Sequence, residues 1–159
     1  RADPKGLKFG VGISAILGIV LMAPGAVMVA GLVTRRQNGH IAIAGPLVNF
    51  GLFLIGIPLG GIILGLAGAE SSGDLAYISN GAINLKAMLF DGVLFWIGAN
   101  LLLGTINMIP FGPLDGAKIK DWNETVWFCT FGVFVVLAYL MITGTFSAVD
   151  IAIKIAEMF

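Results

Sequence analysis

"LVNFGLFLIGIPLGGIILGL", Leu47 to Leu66, carries no charged side chain. As a helix rising 1.5 Å per residue it reaches about 30 Å, the thickness of bilayer hydrocarbon. Its Gly56-xxx-Gly60 and Gly61-xxx-Gly65 spacings let helix backbones approach closely in lipid, so the stretch reads as one member of a bundle. Pro58 suits such a helix because neighbouring helices satisfy the carbonyl it frees.

The rest of the chain has the same character. Its 159 residues are 58% hydrophobic and 11% charged, with a mean hydropathy of +0.99, against roughly 45–50% and about 25% for soluble domains. Uncharged runs cover Phe9–Thr34, Ile41–Ala69, Gly92–Leu114 and Thr125–Val149, each long enough to cross a bilayer. Net charge is zero, with no basic tract or Arg/aromatic interleaving, which argues against nucleic acid as a partner. The lone Cys129 allows no intrachain disulfide and reads as a small packing residue.

No internal repeat or linker divides the chain, so residues 1–159 read as a single membrane domain. Its transmembrane helices are expected at 47–69, 92–111 and 125–144. Trp122 and Trp127 at the start of the last one suit an aromatic belt. Residues 146–159 carry a thin polar stripe, Asp150, Lys154 and Glu157, and are expected to lie as an interfacial helix. In "GAVMVAGLVTRRQNGHIAIAG", Val27, Val29, Ile41 and Ile43 flank Asn38-Gly39, a tight-turn signal, which predicts a small membrane-associated β-hairpin within residues 1–46. His40 would then be a solvated turn residue.

Phe9–Thr34 either spans or re-enters. Two spans separate Arg35/Arg36 from Lys118/Lys120, putting both pairs on one side, the cytoplasm by the positive-inside rule. If Phe9–Thr34 crossed, basic residues would divide four inside and five outside; if it turns back at Pro24-Gly25 they divide seven to two. The second count favours a re-entrant or surface-lying segment. The expected fold is thus a polytopic α-helical membrane protein with three core transmembrane helices, that segment and the hairpin.

Asn100, Gly104 and Asn107 share one helix face, which suits interhelical hydrogen bonding. Asp115 follows in "NMIPFGPLDGAKI". A carboxylate at a membrane helix end is either a turn or cap residue, since Pro-Leu-Asp-Gly is turn chemistry, or a functional acid.

Asn107, Pro110, Asp115 and Gly116 form an Asn-x-x-Pro-x-x-x-x-Asp-Gly pattern that resembles the motif of the site-2 protease family of intramembrane zinc metallopeptidases. "GHIAIAGPLVNF" resembles that family's hairpin strand leading into a core helix, with Gly45, Pro46 and Asn49 on the matching positions. The resemblance covers roughly Ala23 to Lys120, in matching order, and is strongest to archaeal and bacterial members. It implies that Asp115 is a zinc ligand, that Asn107 and Asn49 orient substrate or the developing oxyanion, and that Val29, Ile41 and Ile43 hold an extended transmembrane or membrane-proximal substrate at a strand edge. It also implies a location in the cell membrane of an archaeon or bacterium. Two departures stand out. Ala117 replaces the family's common second glycine, and the His-Glu-x-x-His helix that supplies the other zinc ligands and the base is missing. The opening at Arg1 without Met favours a chain that follows that helix, inactive alone and completed by a missing N-terminal segment or partner subunit. The alternatives are an inactive protease-like scaffold or complex subunit and a small transporter.

Overall fold

The structure is a computed structural model and describes residues 33–69, 78–79 and 82–159. Helix α1, Arg35–Ala67, opens on a capping box: the Thr34 hydroxyl accepts from the Gln37 amide and the Gln37 side chain accepts from the Thr34 amide. This reciprocal cap satisfies two otherwise orphaned N–H groups and starts the helix twelve residues before Leu47. Ile41 and Ile43 therefore lie in a helix, and the expected hairpin around Asn38-Gly39 is not formed. Its other half, Val27 and Val29, lies outside the described residues, as does the segment 9–32.

Gly39 serves packing rather than turning. A Cβ there would stand 2.3 Å from the Trp122 side chain. Helix α1 continues through Pro46 and Pro58 and ends at Gly68 in the left-handed conformation (φ 60°), with the Ala69 amide returning to the Leu64 carbonyl, as helix C-termini commonly do. At 33 residues it is about 50 Å long.

A two-residue antiparallel pair, β1 (Ile78–Ser79) with β2 (Ala82–Ile83), precedes helix α2, Leu85–Asn107. The Asn84 side chain caps α2 by accepting from the Ala87 amide. Helix α2 starts before the uncharged run and stops at Asn107 rather than 111, short of Pro110, which cannot continue a helix. Short helix α3, Asp115–Trp122, leads through Asn123 into α4, Glu124–Ile142, and α5, Ala148–Ala156, closes the chain. Helices α1, α2 and α4 are each long and apolar enough to cross a membrane.

Glycines set the packing. Gly56 faces Trp96 and Ile97, and Gly60 faces Val93, bringing α2 onto α1 around buried Phe53, Ile57, Phe90 and Leu101. Phe134, the one buried residue of α4, fills the hollow over Gly104 and meets Phe50 edge-on. Helix α5 lays Ala148, Ala152 and Ala156 against α1 so closely that a Cβ on Gly61 or Gly65 would stand 2.6 or 2.5 Å from a carbonyl oxygen of α5. Asp150 and Lys154 remain exposed on its outer side. Cys129, expected to pack, is exposed on α4.

A candidate site around Asp115

The turn between α2 and α3 is built around one carbonyl. Met108 ends α2 fully buried, and its oxygen accepts the Trp127 indole N–H at 2.9 Å. Gly116 presses on the same group: a Cβ there would stand 2.1 Å from that oxygen. Gly112 turns the chain at φ 62°, Pro110 is exposed in the turn, and extended Leu114 delivers Asp115 as the first residue of α3. A carboxylate in a first helical turn is favoured by the exposed N–H groups there.

The Asp115 side chain is 28% exposed, and Oδ1 accepts from Lys118 Nζ at 2.8 Å. Oδ2 lies 3.4 Å from where a Cβ on Gly45 would be. This approach brings together the two stretches singled out in the sequence, 70 residues apart. Pro46 beside it is fully buried. Asn49 follows Gly45 by one turn on the same face of α1 and is half-buried, as is Asn107 at the end of α2. Neither amide makes a hydrogen bond among the described residues. Asn100 does not tie helices together, since its amide donates to Trp96 O of its own helix.

Ile41 is exposed one turn before Gly45, and Ile43 packs on the core. Both amides lie within a helix, so neither residue offers a strand edge. His40 is not in a turn either; its exposed ring stands edge-on to Trp122 at 4.4 Å. Arg35 pairs with Asp121 at 3.6 Å, which brings the basic pairs Arg35/Arg36 and Lys118/Lys120 to the same end of the bundle. Among the described residues no group of three or more His, Cys, Asp or Glu side chains can hold a metal.

Sequence reasoning missed two contributors. Lys118 is legible as an i,i+3 partner of Asp115. Trp127, read as a belt residue, gives no local sign that it reaches Met108.

The chain is 31% identical over 135 residues to a protein of Methanocaldococcus jannaschii named "putative zinc metalloprotease", an alignment that covers 80% of this chain and 56% of that protein. The chain thus spans a little over half the length of that relative. No family model matches the chain, and no solved structure matches it.

Proposed function

We propose that this chain is the Asp115-bearing part of an intramembrane zinc metalloprotease of the site-2 protease type, which hydrolyses peptide bonds of transmembrane or membrane-proximal substrates in an archaeal or bacterial cell membrane. The observation that carries the proposal is the approach of Asp115 Oδ2 to the open side of Gly45, 3.4 Å from where a Cβ would stand, because it brings both motif segments to one carboxylate. Similarity to the zinc metalloprotease-named protein supports it, as do the three helices long enough to span.

The described residues do not form a zinc site on their own. Asp115 is a single carboxylate already paired with Lys118, and His40 is engaged with Trp122. The remaining ligands would come from outside the described residues. Bound zinc in such a site would polarise the scissile carbonyl and lower the pKa of water to about 7. The chain's own residues have narrower roles. Gly116 and the Met108 carbonyl fix where α3 begins and so where Asp115 stands, while the Asn49 and Asn107 amides donate to the extended backbone or oxyanion of a substrate. Ile41 borders that site as an apolar contact.

The test is Asp115→Asn in the protein with its native flanking sequence, reading zinc content and cleavage of a transmembrane substrate. Loss of both with helical content intact supports the proposal; retention of both removes Asp115 from the site. The Asp115–Lys118 pair favours a second reading, a protease-like membrane scaffold in which that pair only anchors α3. Absence of zinc from the complete wild-type protein selects this scaffold.

A further inference from the structure

A cleft of about 250 Å³ opens between α1 and α2, toward the ends of both helices remote from Asp115. Leu59, Gly60 and Ile63 line it from α1, and Met88, Gly92 and Trp96 from α2. Measured along α1, Leu59 and Ile63 lie about 20 to 27 Å beyond Gly45, so the cleft is separate from the Asp115 site. The one N–H or O–H among its lining side chains, the Trp96 indole N–H, is committed to Leu52 O at 3.2 Å. Leu59, Met88 and Trp96 are nonetheless 45–49% exposed, and a Cβ on Gly92 would meet nothing within 4 Å. Glycine there gives up helix propensity and leaves the wall open.

The size of the cleft selects its occupant. It holds roughly eight groups of water or methylene size, whereas a helix with side chains is about 10 Å across. Gly60 does not invite another backbone, because Val93 already covers it. A stretch of one flexible hydrocarbon chain, about eight carbons long, fits. Charge at the outer end specifies what that chain is attached to. Lys86 lies just before Met88, its Nζ reaching over the α1 terminus to 3.2 Å from where a Gly68 Cβ would be, and it makes no ion pair among the described residues. Asp91, the nearest acid on α2, already has an interaction of its own.

We propose that the α1–α2 cleft binds one acyl chain of an anionic phospholipid, with Lys86 holding its phosphate. The proposal rests on the membrane reading above and not on the proteolytic one.

Native mass spectrometry of the full chain in detergent, with added phosphatidylglycerol or phosphatidylcholine of matched acyl chains, tests it. One retained lipid is expected, with phosphatidylglycerol preferred by about fivefold. Lys86→Gln should erase the preference and leave chain binding. Gly92→Leu should lower retention of both lipids about tenfold, and Leu59→Trp, which fills the cleft from the opposite wall, should do the same. Circular dichroism identifies a misfolded variant, in which case the other variant decides. Wild-type retention in the folded cleft-filling variants overturns the cleft assignment, as does loss of a dimer mass instead of a lipid mass. Equal retention of both lipids by the wild type overturns the role of Lys86. A wild-type chain that stays dispersed without detergent overturns the membrane reading itself.

Discussion

Trp127 donates its indole N–H to the Met108 carbonyl at 2.9 Å, and Gly116 stands against the same carbonyl. The break between α2 and α3 is thereby clamped to the start of α4. Gly116→Ala would drive a methyl into backbone, where no side chain can yield, so we expect a loss of about 3 kcal/mol or more, or failure to fold. Trp127→Phe keeps most of the packing and loses the hydrogen bond, at about 1 kcal/mol. Thermal unfolding in detergent measures both. A Gly116→Ala protein as stable as wild type would mean that α3 enters differently.

Gly39 and Trp122 predict a local effect. A Cβ on Gly39 meets Trp122 from 2.3 Å, and the indole, half-buried at the end of α3, has to move. Gly39→Ala should cost about 1–3 kcal/mol and shift tryptophan fluorescence, whereas Gly51→Ala, with open space around it, should hold or raise stability by up to about 1 kcal/mol and leave the fluorescence unchanged.

The α5 packing is tested by Gly61→Leu and Gly65→Leu. Each collides with a carbonyl of α5, so the expected outcome is release of residues 148–156 while α1, α2 and α4 persist. Hydrogen exchange should show lost protection in α5 with little change in α2; unchanged α5 protection would refute the packing.

Gly45 separates stability from function. An added methyl would make ordinary contact with Asp115 Oδ2 at 3.4 Å while improving helix propensity, so Gly45→Ala should hold or raise stability by up to about 1 kcal/mol. If Asp115 serves proteolysis, the same methyl occupies the approach to its free oxygen, and cleavage should fall by roughly tenfold or more. Unimpaired cleavage would place the working carboxylate elsewhere.

The three long helices were legible because hydropathy is additive along one segment. The start of α1 was not, because Asn38-Gly39 and the alternating Ile41 and Ile43 mimic a hairpin. The competing signal, Thr34 with Gln37 three residues on, is the one that forms. What requires glycine at position 39 of that helix is a tryptophan 83 residues later, a partner no local pattern announces. Asp115 stood out as an acid among apolar residues, yet its neighbours Gly45 and Lys118 are of unequal visibility. Lys118 follows from helical spacing, whereas Gly45 requires the folded chain or a motif that already encodes it.

The length of α1 also works as a depth gauge. From Gly45 to its last residue, Ala67, the helix climbs about 33 Å, close to the full hydrocarbon thickness of about 30 Å. If the far end emerges at Gly68, Gly45 and the carboxylate beside it sit at the opposite water boundary rather than at the midplane. A polypeptide reaching Asp115 would then be met where the bilayer ends, with bulk water a few ångströms away and no aqueous channel to cross.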